Sequence, residues 1–362
     1  MRLAELTTLR VGGPAESFVR AYTDERLIET ISGHDDRGAA ILLVAGGSNL
    51  LVSDQGFPGT VVQVATEGIT AAPFGDSTSD RGSGQARDEA GSAVRVDAAA
   101  GVNWDEFVAH TVHNRLAGLE ALSGIPGSVG ATPIQNVGAY GAEVGNLIDS
   151  VRVWDRQTKT ELRLGRADCE FGYRDSLFKR NRYDSFGGRH IVLGVTFILH
   201  SGDAGAPVRY AELARSLGVE LGERAPIDQV REAVLRLRAG KGMVLDPDDP
   251  DTYSAGSFFT NPILPGATQL PEGAPAWPLP DGSVKTSAAW LIDHAGFSKG
   301  FGIAPDRASL STKHPLALTN RGTARAADIV ELARTVRAGV IERFGIELHA
   351  EPNLVGVSLL GA

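Results

Sequence analysis

Apolar residues recur at helical spacing in four stretches of the chain. Intervals of three and four residues place such side chains on one face of a helix. The pattern predicts helices at Asn103–Arg115, Ile227–Ala239, Ala288–Ala295 and Ala326–Phe344. In the last of these, a single apolar face is predicted to contain Ile329, Leu332, Ala333, Val336, Val340, Ile341 and Phe344.

Shorter apolar runs and alternating stretches predict strands. Ala40–Val44 is apolar and is followed by Gly46-Gly47, so a buried strand and a tight turn are expected there, with more apolar structure at 50–52. Val151–Leu164 alternates around a polar turn, the pattern of a hairpin, and Ile191–Leu199 predicts another strand. Because helices and strands do not alternate strictly along the chain, an α+β fold is favoured over a doubly wound dinucleotide fold.

Three stretches without apolar periodicity are predicted to be connections. Ala71–Ala93 is rich in Gly, Ser and charged residues and predicts a mobile loop. Pro262–Pro280 is rich in Pro and Gly and predicts an extended connection. The acidic run Asp246–Asp251 lacks the Gly and the closing Glu of an EF-hand, so a solvated connection is expected there.

Composition narrows the class of protein. The chain has 362 residues, 42% of them hydrophobic, which is enough for two or three domains with sizeable cores. A net charge of −9 argues against a nucleic-acid or anionic-membrane partner, and it requires a local cluster of Lys and Arg for any anionic substrate. The single cysteine, Cys169, cannot form an intramolecular disulfide. With no secretory signal and no apolar run of about 20 residues, a cytoplasmic protein is expected, and no metal site is predicted.

Two glycine clusters predict a site for a nucleotide or a flavin. The shorter one runs over 45–49 and the longer one over 124–141. Successive N–H groups in glycine-rich turns form a concave site that suits a pyrophosphate. Neither cluster is a Walker A loop or a Rossmann Gly-x-Gly-x-x-Gly motif. Uncharged donors and acceptors within them are Ser48, Asn49, Ser128, Gln135 and Asn136.

Six motifs, in order along nearly the whole chain, resemble the UDP-N-acetylenolpyruvoylglucosamine reductase family. They are LTTLRVGG (6–13), AGGSNLL (45–51), GIPGSVGATPIQNVGAYG (124–141), FGYRDSLFK (171–179), SAGSFFTNP (254–262) and AEPNLVG (350–356). The chain resembles the longer variant of this family, which has an extra loop containing Tyr210. His349 and Asn353 depart from the residues often seen at their positions in this family.

The resemblance implies a two-part FAD-binding module of the vanillyl-alcohol oxidase-like type and a separate α+β substrate-binding domain. It divides the chain into a first FAD-binding subdomain at 1–68 and a second at 69–240. A substrate-binding domain at 241–345 follows, with a C-terminal return at 346–362 that carries Glu351. A monomer is expected.

The activity implied by the resemblance is the NADPH-dependent, FAD-linked reduction of UDP-N-acetylglucosamine enolpyruvate to UDP-N-acetylmuramate, a peptidoglycan precursor. Arg174 would hold the substrate carboxylate, with a fork geometry that suits bidentate binding. Ser257 would donate a proton to C2, with Lys241 and Asn261 as candidates for stabilising its alkoxide. Glu351 would lie close to the reacting double bond.

The resemblance also implies binding residues. Those for non-covalent FAD are Gly46, Gly47, Ser48, Asn49, Leu50, Gly124, Ile125, Pro126, Gly127, Ser128, Gly130, Ala131, Ile134, Gln135, Asn136, Gly138, Ala139, Tyr140 and Ile191. Those for the UDP-sugar are Tyr140, Tyr210, Lys241, Asn261, Lys299 and His314.

Two other functions are compatible with parts of the sequence. An FAD-linked oxidase on the same module would keep the glycine clusters, but it gives no reason for SAGSFF, Lys241 and Glu351 to occur together. A non-catalytic sensor of UDP-sugar or flavin would be expected to have lost a catalytic side chain. Arg174, Ser257 and Glu351 are all present.

Overall fold

The computed structural model of the chain describes residues 1–75, 92–184, 186–266 and 270–360. Within these ranges the helices are α1 (Asp24–Asp35), α2 (Trp104–His113), α3 (Leu177–Arg180), α4 (Ala211–Leu217), α5 (Ile227–Gly240), α6 (Ala288–His294) and α7 (Ala326–Phe344). The strands are β1 (Ala15–Ala21), β2 (Ile41–Val44), β3 (Leu50–Val52), β4 (Phe57–Val64), β5 (Ile69–Pro73), β6 (Ala93–Ala99), β7 (Leu116–Ala117), β8 (Gly138–Ala139), β9 (Ala142–Glu143), β10 (Ile148–Asp155), β11 (Thr160–Gly165), β12 (His190–Ser201), β13 (Ile263–Leu264), β14 (Ala276–Pro278), β15 (Val284–Thr286), β16 (Ala308–Leu310), β17 (Leu318–Asn320) and β18 (Asn353–Val355).

The chain divides into two compact units. Unit 1 comprises residues 1–17, 46–58 and 240–362, and unit 2 comprises 18–45 and 59–239. Each unit therefore contains more than one segment of the chain. The division into four segments expected from the resemblance stays a prediction. In the described ranges, no helix is long and apolar enough to cross a membrane.

Unit 2 is built on an antiparallel sheet in the order β11-β10-β12-β6-β5, with β7 pairing β12. Its core lies between this sheet and α2, where Trp104, Phe107 and Phe197 pack with ring centroids 5.1–6.2 Å apart. The Trp104 indole N–H donates to the Leu122 carbonyl at 2.9 Å. A second sheet, β1-β4-β2, packs with α1 in a smaller core.

Unit 1 surrounds α7, whose apolar face packs with α6 and the β16-β17 pair. Five residues of the predicted face of α7 are buried: Ile329, Leu332, Ala333, Val336 and Val340. The prediction is wrong for Ile341, which is 37% exposed, and Phe344 is only partly buried. The helix ends at Gly345 (φ 66°), a left-handed position that glycine adopts at little cost.

Periodic segments were predicted well, and non-periodic ones less well. The predicted hairpin is confirmed: β10 and β11 pair antiparallel, with Val151 opposite Leu164 and Val153 opposite Leu162. The four predicted helices are all present, each within about two residues of its expected ends. The helix α1 and the strand β1 were not predicted.

Two of the predicted connections contain strands. Residues 76–91 of the predicted mobile loop lie outside the described residues, but Ala71–Pro73 belongs to β5 and Ala93 begins β6. Within 262–280, β13 and β14 both pair with β15 in an antiparallel sheet. That prediction is wrong because both short strands pair with β15, which lies just beyond the predicted stretch, and a Pro- and Gly-rich composition does not indicate such pairing.

Candidate active site

The longer glycine cluster, 124–141, lies in unit 2 as a succession of tight turns. Gly124 (φ 70°) and Gly127 (φ 137°) adopt left-handed conformations that favour glycine. Gly130 is required by space instead, because a Cβ there would lie 2.5 Å from the Cβ of Ala100. The Gly130 N–H donates to the Ala100 carbonyl at 2.9 Å. The cluster is therefore seated directly against the end of β6.

An ion pair holds the beginning of this cluster. The Gly124 N–H donates to Asp105 Oδ1 at 2.6 Å. Asp105 lies in the first turn of α2, and both its oxygens accept from Arg231 on α5, at 2.6 and 2.9 Å. Burial alone would raise the pKa of Asp105, but the bonds from Arg231 and Gly124 outweigh it and hold that pKa below its usual value. Sequence reasoning missed both residues, because a first-turn Asp and a helical Arg are common on helix surfaces.

Ser128 and Asn136 show what the cluster can offer a cofactor. The Ser128 Oγ is buried and has no hydrogen-bond partner among the described residues, so it fits a ligand polar atom that would satisfy it. Asn136 is different: its Oδ1 accepts from the Gly145 N–H, and its Nδ2 donates to Glu143 and to the Gly172 carbonyl. Its side chain is thus committed to joining parts of the protein.

The other predicted FAD residues of unit 2 divide by exposure. Ile134 presents a 39% exposed apolar side chain. Ile191 packs in the small core with Leu27 and Ile31, so its side chain has a structural place. Half-buried positions are Ile125, Pro126, Gly127, Ala131, Gln135, Gly138 and Ala139.

The segment that carries Arg174 is bonded to the glycine cluster at two points. Arg174 Nη2 donates to the Gly138 carbonyl at 3.0 Å, and the buried Ser176 Oγ donates to the Ile134 carbonyl at 2.5 Å. Ser176 also accepts from the Lys179 N–H as the N-cap of α3. Arg174 itself has φ 52°, an unfavourable conformation for a residue with a side chain. The structure therefore places Arg174 beside predicted cofactor residues.

Tyr140 and Tyr210, both predicted to bind the UDP-sugar, are in contact. Their rings meet edge to face with centroids 5.5 Å apart. Burial raises the pKa of Tyr140 to about 12, so its phenol stays protonated and can donate a hydrogen bond at neutral pH. Tyr210 is 43% exposed at the start of α4. A cavity of about 170 Å³ within unit 2 lies beside them, with Val208 and Leu213 in its wall.

From Gly46 onward, the shorter glycine cluster lies in unit 1 against the first motif. Gly47 has φ 60°, and a Cβ there would lie 1.7 Å from the Leu6 carbonyl oxygen. The Thr8 N–H donates to the Gly47 carbonyl, and the Thr8 Oγ1 donates to the Ser254 carbonyl at 2.6 Å. The segment 6–13 therefore contacts the shorter glycine cluster, which includes Gly46 and Ser48. It also contacts the segment that carries Ser257, the predicted proton donor.

Ser257 and Glu351 belong to neighbouring segments of unit 1. The Glu351 N–H donates to the carbonyl of Phe258 at 2.9 Å, next to an antiparallel bridge between Phe259 and Ala350. Asn49 Nδ2 lies 3.5 Å from the Glu351 carbonyl oxygen, and the strand of Leu50, β3, pairs in parallel with β18. The structure thus brings together three predicted groups that are up to 302 residues apart.

The predicted UDP-sugar residues of unit 1 are placed by other contacts. Asn261 Oδ1 accepts from the Ala288 N–H at the start of α6, which is a structural use of that amide. The loop of His314 is joined to Ser257 through the Phe258 N–H, which donates to the Leu316 carbonyl at 2.7 Å. Lys299 is exposed, and Lys241 follows α5 directly.

Asp251 corrects the expectation of a solvated connection at 246–251. Its side chain is 5% exposed. It accepts from the Thr312 N–H at 2.9 Å, from the Thr312 Oγ1 at 2.5 Å and from Arg321 at 2.8 Å. The prediction failed because the donors lie about 60 to 70 residues away, and a run of Asp and Pro is typical of exposed loops.

Comparisons with known proteins agree with these two regions. One family model, the FAD binding domain, matches residues 15–163, and another, the C-terminal domain of UDP-N-acetylenolpyruvoylglucosamine reductase, matches 248–355. A UDP-N-acetylenolpyruvoylglucosamine reductase of Cutibacterium acnes is 54% identical over 358 residues, covering 99% of this chain and 90% of the relative. One of Salinispora arenicola is 51% identical over 366 residues, covering 99% and 95%.

A solved structure is similar over the same length. The crystal structure of UDP-N-acetylenolpyruvylglucosamine reductase from Thermus caldophilus covers 98% of this chain and 97% of that chain, with a TM-score of 0.62 and 26% identity. These likenesses confirm the α+β class and the predicted FAD-binding module with a separate C-terminal domain.

Proposed function

The chain belongs to the UDP-N-acetylenolpyruvoylglucosamine reductase family, and we propose that it reduces UDP-N-acetylglucosamine enolpyruvate to UDP-N-acetylmuramate with NADPH. FAD, held by the two glycine clusters, would supply the hydride chemistry that links NADPH to C3 of the enolpyruvyl group. The product is a peptidoglycan precursor. The cytoplasmic location and the monomeric state stay predictions from the sequence.

The observation that carries the proposal is the junction of Ser257, Glu351 and Asn49 in unit 1. These residues come from three motifs that are far apart in the chain, yet backbone bonds hold them as neighbours. An oxidase built on the FAD module alone has no use for such a junction. A sensor would not need a hydroxyl and a carboxylate in adjacent segments.

The chain's own residues have two tasks in this reaction. Hydride addition at C3 leaves negative charge on C2 and the carboxylate, which needs cationic or hydrogen-bonding stabilisation. We assign the carboxylate to Arg174, whose guanidinium already has one partner in the Gly138 carbonyl. We assign protonation of C2 to Ser257, and a place beside the reacting double bond to Glu351.

Binding of the UDP group is assigned to polar and cationic side chains. We propose that Lys241 and Lys299 provide positive charge for the diphosphate in a protein of net charge −9. Tyr140 can donate through its protonated phenol, in contact with Tyr210. FAD is assigned to the two glycine clusters, where the buried Ser128 hydroxyl fits a polar group of the cofactor.

The first test is an anaerobic spectral titration of the purified protein. Flavin absorbance should bleach on addition of NADPH and return on addition of the enolpyruvyl UDP-sugar. Recovery with oxygen alone would support an oxidase. A protein that cannot be loaded with FAD would overturn the proposal.

Ser257→Ala tests the assigned proton donor. Reduction of the flavin by NADPH should stay near that of the wild type, while turnover of the UDP-sugar falls by about a hundredfold or more. Ser283→Ala, in the turn before β15, is the matched control and should behave as wild type. Equal losses in both half-reactions of Ser257→Ala would contradict the assignment.

A further inference from the structure

We propose that Asp251 is a positioning residue for the substrate: through its buried carboxylate and its backbone it fixes the segments that carry Lys241, Ser257 and His314 relative to one another. This inference rests on the proposed function, because the roles of those three residues belong to it. Asp251 acts through the backbone segments that present these side chains.

The carboxylate first holds the loop of His314. Thr312 donates to it twice, through the backbone N–H and the Oγ1, and Arg321 donates from beyond β17. The loop continues with the N–H groups of Lys313 and His314, which both donate to the Ser311 Oγ at 3.0 and 3.2 Å. Asp251 therefore holds the start of the β16-β17 connection that carries His314, and also the residue that follows β17.

The same residue lies beneath the turn that follows Lys241. Gly242 has φ 65°, and a Cβ there would lie 3.1 Å from the Asp251 carbonyl oxygen and 3.2 Å from the Asp251 Cβ. A side chain at position 242 would crowd Asp251, so the glycine turn packs directly against Asp251. A shift of Asp251 would therefore displace Lys241.

The segment of Ser257 starts immediately after Asp251. The Asn320 N–H donates to the Tyr253 carbonyl at 2.9 Å, and Ser254 accepts from Thr8. The Phe258 N–H then donates to Leu316, in the loop that Asp251 holds through Thr312. Ser257 thus lies between two backbone hydrogen bonds, one at Tyr253 and one at Phe258. Their partners lie in the stretch 312–321, whose first and last residues both donate to Asp251.

The charge of Asp251 is satisfied within the protein. Its donors are Thr312 and Arg321, while the neighbouring Asp249 pairs with Lys313 at 2.5 Å. Two acidic side chains near the proposed diphosphate residues are in this way already paired with cations. The arrangement suits a scaffold role for Asp251.

Asp251→Asn is the first test, since it keeps the shape of the side chain and removes the charge. We expect the KM for the UDP-sugar to rise by about tenfold or more, because misplacing a group by about 1 Å costs on that scale. FAD content and the rate of flavin reduction by NADPH should match the wild type. Asp248→Asn, exposed in the same acidic run, is the matched control and should leave all three unchanged.

Thr312 supplies a milder second variant. Thr312→Val removes the hydroxyl that donates to Asp251, and we expect a smaller rise in KM in the same direction. Thr312→Ser keeps the hydroxyl and should restore a KM near that of the wild type. Adding Thr312→Val to Asp251→Asn should have less than an additive effect, because both remove one interaction.

Three outcomes would overturn the inference. They are an unchanged KM in Asp251→Asn, an equal loss of flavin reduction and UDP-sugar turnover, and a Thr312→Ser variant as impaired as Thr312→Val. Failure of the proposed function looks different, because the wild type itself would then not turn over the UDP-sugar.

Discussion

Each unit holds its site segments with a carboxylate, but the two carboxylates differ in their access to water. Asp105 in unit 2 has a 36% exposed side chain and pairs with Arg231. Asp251 in unit 1 has a 5% exposed side chain and accepts from Thr312 and Arg321. The Asp251 carboxylate itself is shielded from water, so water replaces a lost bond there less easily than at Asp105.

The units also differ in what else secures the site segments. In unit 2 the glycine cluster fits against the sheet, with Gly130 in contact with Ala100. In unit 1 the segments of Ser257 and His314 are joined to each other by loop-to-loop bonds. The fit of the cofactor segment therefore depends on the absence of a side chain at Gly130. The placement of the catalytic segments depends instead on the side chain of Asp251.

The largest effect is expected from removing the buried carboxylate. Asp251→Ala should lower the free energy of local unfolding around 311–321 by about 3 kcal/mol or more, since Arg321 loses its partner. Asp105→Ala should cost about 1 kcal/mol around Gly124, because its pair is partly exposed. Hydrogen exchange followed by mass spectrometry measures both regions, and equal losses at the two sites would remove the contrast.

The next effect concerns the steric fit of the glycine cluster. Gly130→Ala forces a Cβ against Ala100, and overpacking of this kind costs about 1–3 kcal/mol. FAD affinity should fall with it, as measured by release of flavin fluorescence on dilution. Gly240→Ala is the control, because a Cβ there meets nothing within 4 Å. Normal FAD binding by Gly130→Ala would show that the cluster tolerates a side chain.

A smaller effect is expected from changing Asp105, the more exposed of the two carboxylates. Asp105→Asn keeps a possible acceptor for the Gly124 N–H but loses the ion pair with Arg231, so FAD affinity should fall only by about threefold to tenfold. The effect should shrink at high salt, because exposed pairs are screened. Asp203→Asn removes a more exposed pair with Arg115 and should leave FAD binding unchanged. A hundredfold loss of FAD affinity in Asp105→Asn would contradict the expectation that Asp105 matters less than Asp251.

Local patterns in the sequence predicted the parts of the fold that depend on local periodicity. The α7 face and the 151–164 hairpin follow from the spacing of apolar residues. The hairpin is present, and five of the seven predicted residues of the α7 face are buried. The motifs also predicted Ser257, Glu351 and Asn49 as site residues, and the structure makes them neighbours. Their chemical roles stay predictions.

The supporting roles of Asp251 and Asp105 were not predicted, because nothing near either residue in the sequence indicates them. Asp251 and Thr312 are 61 residues apart, and Asp105 and Arg231 are 126 apart. A charged residue in a polar run is usually solvated, so its type alone predicted exposure. Only the fold supplies the partners that turn such residues into supports.

The smallest and most specific effect is a pH dependence that should belong to Asp251. Burial alone would raise the pKa of Asp251, but bonds from Thr312 and Arg321 outweigh it and hold that pKa below its usual value. The charges facing it are Arg321 and the Asp249–Lys313 pair. Because the folded pKa is the lower one, the stabilisation is complete above the unfolded value of about 3.9 and is lost as the pH falls through the folded pKa.

Comparing wild type with Asp251→Asn isolates this effect from other acidic groups. Asp155 in unit 2, bonded to Arg189, also has a lowered pKa and destabilises both proteins equally in acid. The difference in local unfolding free energy around 311–321 should therefore be constant from pH 7 to about pH 5 and shrink below about pH 4. A difference that grows in acid would mean that Asp251 is protonated in the folded protein. A protonated Asp251 would hold the loop of His314 as a neutral hydrogen-bonding group. Asp251 and Asp105 would then differ in hydrogen bonding and not in charge.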